Sequence, residues 1–396
     1  MFENCFLPAL NPQKAPKYGP RSSKTHGNLA QASASILVRS GFAITSADTE
    51  TGSMRSLTQK LSSMLIPSAL LLTWLVASAP NASGQDVVVE KKPDGTTVKR
   101  QGEIVDWIGV SLKLDQSGRM REIDNDQIES IETRWPPEYT QALSQIENGE
   151  LAQAASALGE ALEQERRLWA QNVILAKLIG VQQALEQHVS AAQTFFRLVG
   201  NDPQSRFLHL APLPWETGKS GGNLPSAVQA QQWLESGGHA GSDLAAVSLV
   251  AASWLMTSRP QDARPVLEEL ANDLDPTISA LAVGQLWRQQ QAVVNAKRLT
   301  VWRRRLAIMP QAASAGPLYT IASATSQASM NDLALRDFMR IVILHPDQGI
   351  IAAPALYRAA NLLHNEGRTQ VAASLVEELK TKYPQSPWAR EANFGN

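Results

Sequence analysis

The chain has 396 residues, 43% of them hydrophobic and 18% charged, with a formal net charge of −1. That is enough apolar material for two or three packed domains, and the near-neutral balance excludes a global pull toward nucleic acid or anionic lipid. The only cysteine is Cys5, which excludes an intrachain disulfide and a thiolate metal centre.

Residues 1–53 mix Pro, Lys, Ser, Thr, Gly and Asn around one short apolar run, Ile36-Leu37-Val38. Such a stretch buries too little surface to offset its ordering entropy, so it reads as a disordered or misassigned N-terminal extension. Residues 54–84 differ. A basic head from Met54 to Lys60, a 14-residue apolar run from Met64 to Ala77, and the small residues Ala82-Ser83-Gly84 form the three-part pattern of a secretory signal peptide. The run falls short of the roughly 20 residues of a spanning helix. A signal peptide acts at the front of a nascent chain, so we expect translation to start at Met54 and the product to be exported to a periplasm or cell envelope. Residues 1–85 hold seven basic and three acidic side chains, so the remainder carries 29 basic against 34 acidic, net −5. That charge suits an exported protein with at most peripheral membrane association.

From residue 85 to 135 the period becomes that of strands. Val87–Val89, Thr96–Lys99, Glu103–Trp107, Val110–Leu114 and Arg119–Ile123 are short β-type runs, punctuated by Pro93-Asp94-Gly95 and Gln116-Ser117-Gly118 as hairpin turns. Val110-Ser-Leu-Lys-Leu114 alternates strictly, which gives one buried and one wet face. Five strands at this spacing resemble SH3-like or Sm-like small barrels, and the resemblance implies a docking or structural module. RNA is not the expected partner: acidic residues such as Glu103, Asp106 and Glu122 interrupt the basic ones, and Trp107 and Trp135 are the only aromatics. Asp124 and Asp126 lack the later glycine and glutamate of a calcium loop.

Pro136-Pro137 marks a boundary beyond which helical periodicity takes over. Ala142 to Glu163 gives a helical pair with Gly149 at its turn and Ala154, Leu158 and Ala161 along the second helix. Leu175, Leu178 and Ile179, then Ala191, Phe195 and Leu198, repeat the pattern up to Asp202-Pro203. Leu318, Ile321 and Ala322, then Ala334, Phe338 and Ile341, repeat it again. The last copy has Leu356, Ala359, Ala360 and Leu363 before Gly367, and Ala372, Leu375, Val376 and Leu379 after it, with Pro384 as the stop. These units resemble tetratricopeptide (TPR) repeats, whose period is about 34 residues. Between them, Val247 to Leu270 and the Asp275-Pro276 start of Thr277–Trp287 are looser and similar to HEAT-repeat punctuation.

The fold class expected is therefore mainly α: an α-α superhelix, TPR-like, preceded by a small all-β barrel-like module. Its segments are TPR-like pairs over 136–203, a proline- and glycine-rich loop over 204–224, degenerate TPR/HEAT-like helices over 225–310, and TPR-like repeats over 311–396. Repeats of this kind stack because none buries its apolar face alone. Long loops such as 204–224 are often functional or disordered.

No constellation for catalysis passes its spacing test. Gly218-Lys219-Ser220 lacks the earlier glycine of a phosphate loop, since Leu213 stands there. Gly218-Lys-Ser220-Gly-Gly222 matches a nucleophile elbow in letters but has no preceding strand. His188, His209, His239, His345 and His364 show no metal-ligand spacing, and Arg303-Arg-Arg305 reads as a solvated helix face. The expectation is a non-catalytic protein with no cofactor and no metal. The resemblance to TPR proteins implies a groove on the first helices that binds a protein or extended peptide. In the last two units its lining falls on Tyr319, Ser323, Ser326 and Gln327, and on Tyr357, Asn361, His364 and Asn365. The other reading makes the β-module a head for cell-wall or other polymer, with the helices as spacer.

Overall fold

The computed structural model describes residues 85–216, 223–239 and 244–392. The expected extension and signal segment, the Gly218–Gly222 run and the His239 side chain lie outside the described residues. What is described is mainly α, with fourteen α-helices after a small five-stranded antiparallel sheet.

The strands are β1 (Asp86–Lys91), β2 (Thr97–Ile108), β3 (Ser111–Gln116), β4 (Arg119–Asp124) and β5 (Ile128–Glu132), in the order β4-β3-β2-β1-β5. The two runs expected at Thr96–Lys99 and Glu103–Trp107 are one continuous strand. It pairs with β1 through its first half and with β3 through its second, with a bulge between Ile104 and Asp106. Gly102 sits at the changeover. It is paired with Asp86 of β1 on one side, and on the other a Cβ would overlap the Asp115 carbonyl oxygen of β3. Only glycine lets β3 approach that closely. The fifth strand is Ile128–Glu132, beyond a turn that follows Asp124. That turn, a three-residue 3-10 turn at Asn125–Gln127, joins the two edge strands β4 and β5. So short a link between opposite edges requires the sheet to curl almost into a barrel.

The helices are α1 (Pro137–Glu147), α2 (Leu151–Gln164), α3 (Leu168–Ala184), α4 (His188–Asn201), α5 (Ala227–His239), α6 (Ala245–Leu255) and α7 (Pro260–Leu270), then α8 (Pro276–Gln290), α9 (Ala296–Leu306), α10 (Ala315–Gln327), α11 (Asn331–Leu344), α12 (Gly349–Asn365), α13 (Thr369–Lys382) and α14 (Pro387–Glu391). Four turns share one geometry. Gly149, Glu186, Ser329 and Gly367 all take a left-handed conformation, with φ of 77°, 57°, 58° and 77°. In each case the next residue donates its N–H to the carbonyl five positions back, closing the helix end. These are the turns of α1–α2, α3–α4, α10–α11 and α12–α13, the four pairs with the repeated spacing. Ala154, Leu158 and Ala161 are buried, as are Ala191, Phe195 and Leu198, then Ala334, Phe338 and Ile341, then Ala372, Val376 and Leu379. The middle helices start differently. At α8, Asp275 caps the Thr277 and Ile278 amides ahead of Pro276.

First and second helices of the pairs are built unequally. α10 buries ten of its 13 residues, whereas α13 buries three of 14. A helix apolar on all sides must be covered on all sides. The first helices α3, α6, α8, α10 and α12 are therefore packed on both faces.

The sheet is not a separable head. Its core, formed by Val88, Ile104, Leu112, Leu114 and Ile123, is completed by Trp169 and Ala170 of α3. A polar clamp lies beside it. Arg167 donates to Thr133 Oγ1 (2.7 Å), the Arg134 carbonyl (2.8 Å) and Glu165 Oε2 (2.7 Å), and its guanidinium sits 4.9 Å from the Trp169 ring. Burial pushes the Glu165 carboxyl up, but the hydrogen bonds from Arg167 outweigh it and hold it below the usual range. On the other side Arg206 stacks over Trp107, and Asp202 accepts the Gly109 amide (2.9 Å).

The array also meets itself. Gln385, after α13, donates to the Gly149 carbonyl between α1 and α2 (3.2 Å), and Arg390 of α14 approaches Glu186 at 3.8 Å. Helix α12 contacts α3. The last pair therefore docks on the first two, and the stack closes on itself.

Candidate functional site

The described part of the expected 204–224 loop, up to Glu216, is packed among the helices. Its residues 207–216, Phe-Leu-His-Leu-Ala-Pro-Leu-Pro-Trp-Glu, run as a strap between the first helices. A short 3-10 turn at Leu208–Leu210 opens the strap, and no helix or strand follows it up to Glu216. Leu208, Ala211, Leu213 and Trp215 are buried. Three side chains from three helices hold its carbonyls: Gln183 of α3 donates to Leu210 (3.2 Å), Trp254 of α6 to Pro212 (2.8 Å) and Gln285 of α8 to Pro214 (3.1 Å). Proline at 212 and 214 removes two amide donors that would otherwise need partners in this setting. Trp215 is seated where α8 and α10 carry glycine. A Cβ on Gly284 would come within 2.9 Å of its ring, and one on Gly316 would overlap it. At the strap's end Glu216 pairs with Arg358 of α12 (3.1 Å).

The face expected to receive an extended peptide therefore already holds a segment, supplied by the chain itself. Tyr319 is 2% exposed, packs 5.7 Å from Phe338, and has no hydrogen-bond partner for its hydroxyl among the described residues. It lines a cavity of about 80 Å³ with Ser323, Ser326 and Gln327, so four of the expected groove residues converge on one space. Tyr357, Asn361, His364 and Asn365 do not line it. Tyr357 packs instead on Trp388 at 5.0 Å. Arg358 and Glu216, which sequence spacing did not single out, complete that cavity.

A larger cleft, about 640 Å³, also borders the strap's end. Pro214 and Glu216 form one wall, Trp254, Met256 and Thr257 at the end of α6 another, and Arg288 and Gln289 at the end of α8 a third. Gln327 is common to both spaces. Arg288 is 6% exposed. Its Nε donates to Gln285 Oε1 (2.9 Å) and its Nη2 to the Ser253 carbonyl (3.3 Å). Among the described residues no carboxylate pairs with it, and burial pushes its pKa down to about 10. The same Gln285 amide that holds the strap at Pro214 therefore also orients this guanidinium.

Arg303 and two of the histidines make contacts within the fold. Arg303, expected on a solvated face, points inward to Asp337 of α11 (2.5 Å) and Thr325 of α10 (3.0 Å), and so ties α9 to its neighbours. His345 is buried beside Ser314 (3.2 Å), and His209 lies against the Arg206 carbonyl (3.0 Å). Among the described residues no group of three or more His, Cys, Asp or Glu side chains is placed to hold a metal, and no helix is long and apolar enough to cross a membrane.

No protein-family model matches this chain, and no curated protein or solved structure does either.

Proposed function

We propose that this is an exported, non-catalytic protein-interaction scaffold built on TPR-like repeats. The observation that carries the reading is the strap. The first helices of successive pairs hold a non-helical segment by hydrogen bonds to its carbonyls and a seated indole, which is how such a face recognises a peptide. The cleft of about 640 Å³ beside the strap leaves part of that face open to a partner. Export rests on the three-part segment at 54–84 and on the net charge beyond it.

The polymer-head reading has less to stand on. Both tryptophans of the β-module are engaged, Trp107 with Trp169 and Arg206, and Trp135 with Tyr139 and Trp169. Neither is left as a stacking platform for a sugar or other polymer. A photo-reactive residue placed at Gln327 and, in a second variant, at Val110 of the β-module tests the proposal in the native cell. A protein adduct at Gln327 is the expected outcome; adducts confined to Val110 would overturn it. N-terminal sequencing of the native protein tests export. A mature start near Gln85 is expected, and a mature chain carrying residues 1–53 contradicts it.

A further inference from the structure

We propose that the cleft between the strap and the ends of α6, α8 and α10 is a carboxylate-binding site for a peptide segment, with Arg288 as the anion receptor. The inference deepens the scaffold reading above and rests on it. A guanidinium taken out of water without a counter-charge is costly, and the cost is normally offset by a partner anion. Arg288 has none among the described residues, yet it lines a space large enough for a ligand. Its Nε and Nη2 are fixed by Gln285 and the Ser253 carbonyl, while its Nη1 donors make no hydrogen bond among the described residues. The plane of the guanidinium is thus set in advance, which suits the geometry of a carboxylate.

The surroundings narrow the ligand. Among the described residues that line the cleft, the other charged side chain is Glu216, which pairs with Arg358, so the uncompensated charge these residues offer is that of one cation. One cation matches a carboxylate better than a phosphate, which carries about −1.5 to −2 at neutral pH. Trp254, Met256 and Pro214 supply an apolar wall for the side chain next to the anion, and Gln289 and Gln327 carry both donor and acceptor for a peptide backbone. An acidic side chain and a chain terminus present the same carboxylate chemistry to Arg288.

Four short peptides separate the cases by calorimetry on the whole exported chain: acetyl-Leu-Glu-Leu-amide, its Gln and phosphoserine analogues, and acetyl-Leu-Gln-Leu with a free C-terminus. At least one carboxylate peptide is expected to bind ten-fold or more tightly than the Gln amide, and more tightly than the phosphoserine peptide. Which one binds tells an acidic side chain from a terminus. Arg288→Met is expected to abolish that binding with its melting temperature unchanged or raised, since it removes an uncompensated charge. Ala292→Trp, which fills the cleft and leaves Arg288 in place, is expected to abolish it as well. Equal binding of acid and amide, no binding of either acid, a tighter phosphoserine peptide, or binding retained in either variant overturns the inference. If these probes fail while the Gln327 adduct is still formed, only this inference falls and the scaffold reading stands.

Discussion

Ser329 and Gly367 occupy the same position in successive repeats, yet only one is glycine. A side chain in the left-handed region costs about 1 kcal/mol or more, because its Cβ crowds the following carbonyl. Ser329→Gly is therefore expected to raise stability by about 0.5–1 kcal/mol after the entropic cost of glycine, read as a small rise in the denaturation midpoint. The opposite sign is expected at the strap socket. Gly316→Ala places a methyl group in the Trp215 ring, and overpacking of this kind costs about 1–3 kcal/mol. Introducing Trp215→Leu in the Gly316→Ala background should recover part of that loss, and a double-mutant cycle by chemical denaturation measures the coupling.

The individual elements are legible in sequence to different degrees, for physical reasons. The four regular pairs announce themselves through a small residue, a large one four on and an apolar one three beyond, because that spacing is the helix contact itself. The strap does not, because Leu208-His-Leu-Ala-Pro-Leu-Pro-Trp215 has the prolines of a loop and no period. Its signal lies elsewhere, in the apolarity of Ala245–Leu255, which only Ser248 and Ser253 interrupt: a helix with no charged or strongly polar face needs something to cover it. Half of the expected groove, Tyr319 to Gln327, converges on one cavity because those residues share a first-helix face, while Arg288 follows no local pattern at all. The boundary at Pro136-Pro137 is real in period but not in packing, since Trp169 lies across it. Trp169→Ala is expected to cost about 3–5 kcal/mol and to raise hydrogen exchange in β1–β3 and α3 together; exchange confined to α3 would show that the sheet keeps its core without the helix.

For the molecule as a whole, the seam between the last pair and the first two makes stability collective. Deleting residues 349–392 removes the partner of Gly149 and Glu186 as well as the cover of α11, so the truncated chain is expected to aggregate or to lose its cooperative transition in thermal unfolding; a soluble, cooperative product would contradict the closed packing. Acid is a second global lever. Burial holds His209 and His345 below the usual histidine value of 6.5. In the unfolded chain these rings take up protons as pH falls through about 6.5, and in the folded chain they resist, so stability present above that pH is lost below it. Glu90 and Glu165, whose folded pKa values are lowered from 4.5, add a further loss only at more acid pH. A melting temperature that falls between pH 7 and pH 5.5, with a shallower slope in a His209→Gln, His345→Gln double variant, is the expected result.

The closed seam also bears on how the chain reaches this state. Glu216 meets Arg358 across 142 residues, and Gly149 meets Gln385 across 236. During synthesis the strap emerges before α8, α10 and α12 exist, so the later helices are laid down around a segment already waiting for them. Closure comes last, and the loop it must close is nearly the length of the array. Contacts so far apart in sequence slow folding, and inserting one more repeat would displace the seam, so the number of repeats is fixed by the ring rather than free to grow by duplication.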